Sequence, residues 1–248
     1  MSDLKEQSQV IELLDTLEKN GLHKEKNDVT ALVDYVSDME DTIVSMLIEM
    51  QELRKEVNHI YDKSLKHKCA VLVERAESGV KQGASLVGRV KDNIIHAAGN
   101  AITTFKEKGK EAFQSAVRKM KIPETLDTLK TGFDKIADSI GKDAKNMLEM
   151  KSELHEAGGH IKNAARLIFG KQPKESEKMK ADKGILGVSS KVLSGISNRF
   201  KGMSQRTADL ADKLRYEHIK SSVKEDLSYL KANDSDRLFN DFTRENMR

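Results

Sequence analysis

The chain has 248 residues, 33% of them charged and 4% aromatic, with no Trp and two prolines, which is the composition of long helices and not of an ordinary compact globule. Its single cysteine, Cys69, excludes an intramolecular disulfide and reads as small apolar filler beside Val71 and Leu72. Net charge is only +3, but residues 1–66 carry 8 basic against 15 acidic side chains and residues 67–121 carry 11 against 5, so an acidic head precedes a basic middle that could attract it within one chain or between copies.

The polar start MSDLKEQSQV is unlike a secretory signal, and without one the acceptor pattern Asn233-Asp234-Ser235 carries no meaning. The longest window free of charged residues, 93–105, is thirteen residues, whereas a membrane-spanning helix needs about 20. A cytoplasmic protein without an integral span is expected.

A first helix is predicted over residues 3–20, with Val10, Ile11, Leu13, Leu14 and Leu17 on one face and Asn20-Gly21 as a left-handed C-cap. The second, capped by Asn27 or Asp28, carries the strongest pattern in the chain. Its apolar positions Val29, Leu32, Val36, Met39, Ile43, Met46, Met50, Leu53, Val57 and Ile60 alternate in steps of three and four without a fault. A period of about 3.5 residues keeps one stripe facing a partner and is the mark of a coiled-coil seam. The methionines make that seam adaptable; it is expected as packed core in preference to a peptide-binding groove.

Between Ile60 and Ala76 the steps lengthen, which leaves a stutter and a chain break both open. The pattern resumes as Ala76, Val80, Gly83, Val87, Val90, Ile94, Ala97 and Ala101, a small-residue face among lysines, and continues through Phe105, Ala112, Ala116 and Met120. Each interior glycine costs a helix about 1 kcal/mol relative to alanine, so Gly79, Gly83, Gly88 and Gly99 need a reason. Close approach of a neighbouring helix and a conditionally folded segment are the two candidates, and close packing is expected.

Pro123 ends this helix and opens the next. There Ile122, Leu126, Leu129, Phe133, Ile136, Ile140, Ala144, Met147 and Leu154 share a face that resumes as Ile161, Ala165 and Ile168 after Gly158-Gly159, a pair predicted to kink or break the helix. The lysine-rich run GKQPKESEKMKADKG reads as an exposed linker. A last helix follows with Val188, Val192, Ile196, Phe200, Met203, Thr207, Leu210 and Leu214 on one face, and then a tail bearing Leu238, Phe239 and Phe242 that either docks elsewhere or folds back. No segment alternates with a period of two. The expected fold is all-α, an elongated coiled-coil-like bundle or a set of antiparallel hairpins. Its expected parts are an acidic helical hairpin at 1–66, a basic small-residue helix at 67–121, a kinked amphipathic helix at 122–169, a linker at 170–184, a basic amphipathic helix at 185–231 and a loose tail at 232–248.

Catalysis finds no support. His155 and His160 invite comparison with the HExxH zinc motif, but they are five residues apart, which sets them about 140° apart around a helix and prevents a shared metal. No phosphate loop, nucleophile elbow or Cys–His pair is legible, and the Glu-x-x-His spacing that diiron bundles need on two helices occurs once, at Glu56 and His59. No metal, cofactor or small-molecule substrate is expected. The first functional reading is a non-enzymatic scaffold that pairs by coiled coil with itself or another helical protein. The alternative is a peripheral membrane or lipid-surface protein acting through 76–121 and 185–215. A third, weak nonspecific nucleic-acid binding through 171–220, lacks aromatic stacking platforms.

The stretches VDYVSDMEDTIVSMLIEMQELRKEVNHI and LVGRVKDNIIHAAGNAITTFKEKGKEA together resemble uncharacterised helical proteins carried on mobile or conjugative elements of Gram-positive gut bacteria, over residues 1–220. The resemblance implies an intracellular bacterial protein accessory to transfer or maintenance of such an element. It implies no activity.

Overall fold

Each predicted amphipathic stretch forms a helix, and the connections decide how the helices meet. The structure, a computed structural model, describes residues 3–118, 120, 122–174 and 184–245, except the side chains of Arg118 and of 216–245. A single 3-10 turn at Leu4–Glu6 leads into α1 (Ser8–Lys19), which buries Val10, Leu13 and Leu17. Gly21, at φ +70, then reverses the chain, and the Leu22 amide donates to the Leu17 carbonyl, so the expected left-handed cap is present. Helix α2 (His23–Asn58) starts a turn earlier than Asn27 or Asp28 would place it, and α3 (Lys63–Arg118) follows a short break. That break, at residues 59–62, is what the lengthened steps after Ile60 record. Helices α4 (Ile122–Ile168) and α5 (Gly184–Glu245) complete the chain; among the described residues there is no strand.

Short connections make neighbours antiparallel, and polar contacts fix their register. Lys91 of α3 donates to both carboxylate oxygens of Glu40 in α2, at 2.9 and 2.8 Å. Between α3 and α4, Arg75 reaches Asp143 at 3.1 Å. The α4–α5 pair carries a ladder of hydroxyls: Ser190, Ser197 and Ser204, seven apart, donate to the carbonyls of Ala144, Ala137 and Lys130, at 2.8, 2.7 and 3.5 Å. Ser204 also meets the Asp134 carboxylate at 2.5 Å. Small hydroxyl side chains at these positions let the two backbones approach closely. Helix α5 returns to α2, where the Tyr35 hydroxyl donates to the Met203 carbonyl at 2.6 Å and Arg199 pairs with Glu49. The four long helices thus close a ring, with α1 lying on α2 and α3.

Two interruptions differ from expectation. Gly158-Gly159 does not break α4, which is one helix to Ile168, and neither glycine takes a positive φ. The break falls in α3 at Gly109, φ 78 and ψ −168, inside a run of lysines and glutamates that reads as plain helix. Beyond it the buried positions are Phe113 and Val117, each one residue later than the expected Ala112 and Ala116. Backbone helix continues through 232–245, the stretch expected to be loose; the side chains of Leu238, Phe239 and Phe242 and the linker residues 175–183 lie outside the described residues.

Candidate functional site

The α2 seam is filled by its own chain. Val29, Leu32, Val36, Met39, Ile43, Met46, Met50, Leu53 and Val57 are all buried, against α1, α3 and α5, while Ile60 lies past the helix end and is half-buried. A seam consumed inside one bundle offers no stripe to a second copy or a foreign helix, and the expected contact surface has to be sought elsewhere.

The small-residue face is equally internal. Ala76, Val80, Gly83, Val87, Val90, Ile94 and Ala101 are buried; Ala97 is half-buried and its neighbour Ala98 takes the core position. Gly83 has the packing reason expected of it, since a Cβ there would stand 2.6 Å from the Phe200 ring of α5. Gly88 has no atom within 4 Å of such a Cβ. The apolar faces of 76–121 and 185–215, expected to lie on a lipid surface in the alternative reading, are thus bundle core: Val80, Val87, Leu193, Ile196 and Phe200 are among the most buried residues of the chain.

Polar groups inside the bundle serve its register. Asp143 is buried; burial pushes its carboxyl above the usual range, the Arg75 guanidinium partly opposes this, and Oδ2 has no hydrogen-bond partner. Cys69 is fully buried and its thiol is pushed up to about 11 by desolvation, which makes it an inert filler, as its neighbours suggest. Between α3 and α4 lies a groove of about 410 Å³ lined by Arg75, Arg89 and Lys135 with Leu86 and Ile136. Among the described residues no group of His, Cys, Asp or Glu is arranged to hold a metal ion, and no helix is long and apolar enough to cross a membrane.

The surface that stands out is the end of α4. Ser190 lies opposite Ala144, so the first residue of α5, Gly184, lies opposite about residue 150, and α4 runs on beyond it for some five turns. Its seam continues regardless: Met147 is fully buried, whereas Leu154, Ile161 and Ile168 are 48, 71 and 82% exposed, and Leu167 and Phe169 are 60 and 78% exposed.

The local hydrogen bonding shows how this end is built. Gly170, at φ +67, donates to the Leu167 carbonyl; Lys171 donates to Arg166 and Phe169 to Ala165, a Schellman closure that satisfies the carbonyls of 165–167. The departing chain is tied back: the Asn163 side chain bonds both the amide and the carbonyl of Lys174, at 2.9 and 3.0 Å, and Arg166 Nε donates to Gln172 at 2.8 Å. Lys162, Arg166, Lys171 and Lys174 all fall in this stretch, and from Ala157 to Lys174 there is no acidic residue. The three consecutive large apolar residues and the missing acids are visible in the sequence, but a seam reading takes only Ile168 and stops at Phe169.

No curated protein and no solved structure is detectably similar to this chain. A family model does match, over residues 6–239, described as a family of unknown function, DUF6674. That span takes in all five helices and the α4 tip, and the chain belongs to this family.

Proposed function

We propose that the chain is a non-enzymatic helical interaction protein, a bundle that fills its own seams and presents the projecting end of α4 as its contact element. The carrying observation is the uncovered continuation of the α4 seam, Leu154, Ile161 and Ile168, beyond the point where α5 begins. Apolar side chains at heptad spacing, left in water on a helical projection, mark a surface that gains by being covered. An accessory role on a bacterial mobile element, and the cytoplasmic setting that goes with it, are proposed as its biological context on the strength of the resemblance alone. Nucleic-acid binding through 171–220 has less support, because two of the α5 arginines are engaged, Arg199 with Glu49 and Arg215 with Asp127 and Asp212.

The test is fractionation of the native full-length protein, with a photo-crosslinker at position 161, compared with the Ile161→Ser/Ile168→Ser variant. The proposal expects wild type to co-fractionate with a larger assembly or a membrane, to cross-link through position 161, and to lose the association in the variant. A chain that fractionates alone as a monomer, or a variant that associates as well as wild type, contradicts it.

A further inference from the structure

We infer that the tip of α4 inserts into an anionic lipid surface, a step that rests on the reading of this helix end as the contact element. Three observations favour lipid over a partner helix. Consecutive residues on a helix point about 100° apart, so Leu167, Ile168 and Phe169, all more than half exposed, look out on about 200° of its circumference. A single packed helix covers one stripe, whereas an interface surrounds a tip.

Charge is the second observation. Lys162, Arg166, Lys171 and Lys174 fall in a stretch with no acidic residue from Ala157 to Lys174, a charge complementary to phosphatidylserine-type headgroups. Helix–helix contacts more often interleave both signs, as α2 and α3 do here with Lys91–Glu40 and Arg54–Glu77.

Third, the last turn of the tip closes on itself. Ala165, Arg166 and Leu167 have their carbonyl oxygens bonded by Phe169, Lys171 and Gly170, and polar groups left unbonded are what opposes transfer of a chain reversal into an apolar medium. Insertion is shallow and reversible, by the tip alone, with the bundle axis standing off the surface.

The chain has no tryptophan, so Phe169→Trp places a single reporter at the tip and Tyr61→Trp, at a fully exposed loop residue, supplies the control. The full-length protein is mixed with phosphatidylcholine vesicles with and without phosphatidylserine. The inference expects a blue shift of Phe169→Trp, quenching by brominated lipid with the anionic vesicles only, reversal by high salt, and no change in Tyr61→Trp. In sedimentation, Ile168→Ser/Phe169→Ser and Lys162→Glu/Lys171→Glu each lower wild-type vesicle binding by about tenfold or more; these side chains are exposed and circular dichroism checks the fold. Absence of any shift with anionic vesicles, or tip variants that bind as wild type does, overturns the inference. If vesicles are ignored while Ile161→Ser/Ile168→Ser still abolishes native association, the contact element stands and its partner is a protein; if native association is unaffected as well, both readings fall.

Discussion

Gly83 of α3 faces the ring of Phe200 in α5 so closely that a methyl group at residue 83 would lie 2.6 Å from Cε1 and 2.7 Å from Cζ. Phe200 is fully buried and packs on Phe133 at 5.6 Å between ring centroids, so the ring has nowhere to retreat. Gly83→Ala is expected to destabilise by about 2 kcal/mol, the overpacking exceeding the helix-propensity gain. Gly88→Ala meets open space and is expected to stabilise by up to about 1 kcal/mol. Urea midpoints of the two variants check the contrast; equal effects would remove the close-packing explanation.

Lys91 and Glu40, 11 and 20% exposed, form the least solvated ion pair between α2 and α3. Removing one partner deprives the other of a close charge-assisted pairing in a poorly solvated place, so Lys91→Met is expected to cost about 2 kcal/mol, and Glu40→Met to destabilise as well. The double variant should fall well short of the sum, because two methionines pack where two charges were held. A double-mutant cycle in denaturant measures this; strict additivity would mean that the pair contributes nothing to register.

Asp143 behaves in the opposite sense. Burial raises its carboxyl above the ordinary 3.8, so the folded protein binds this proton more readily than the unfolded chain. The favourable contribution is fully present below the unfolded value and is lost as pH rises through the folded one. Asp143→Asn should therefore be at least as stable as wild type at neutral pH, with its advantage shrinking as pH falls toward 3.8. Denaturant midpoints against pH test the sign, and a large loss of stability at neutral pH would show that the pairing with Arg75 outweighs burial.

The seam of α2 was legible because faultless three-four alternation requires a covering surface along the whole helix. What covers it was not legible: Val36 or Met46 in a core reads the same whether the opposite helix belongs to the same chain or another. The same ambiguity leaves a lipid surface open as the alternative for 76–121 and 185–215, since a face rich in Ala, Gly and Val suits close helix packing and shallow interfacial burial alike. Glycine was misread in both directions. Gly158-Gly159 looks like a break, yet glycine tolerates helical φ at a modest cost, while Gly109 leaves the helix although a lysine-glutamate run surrounds it.

The α4 tip was half legible. Ile161 and Ile168 lie on the seam, but exposure depends on where α5 begins, and that follows from the α4–α5 register set by Ser190, Ser197 and Ser204. Their seven-residue repeat is plain in the sequence and passes unnoticed in a search for apolar positions. Leu167 and Phe169 break the helical period and so drop out of a seam, although three large apolar residues in a basic stretch are a signal of their own.

Among the described residues the chain fills its own seams and leaves the end of α4 uncovered. Hydrogen exchange of the full-length protein, followed by mass spectrometry over a dilution series, tests it most directly. The account predicts that amides in 29–57 and 76–101 are protected to the same degree at every concentration, while those in 154–168 exchange about tenfold faster or more, as expected of a helix without tertiary cover. Protection of 29–57 that fades on dilution, or protection of 154–168 equal to that of 126–147 in the monomer, would contradict it.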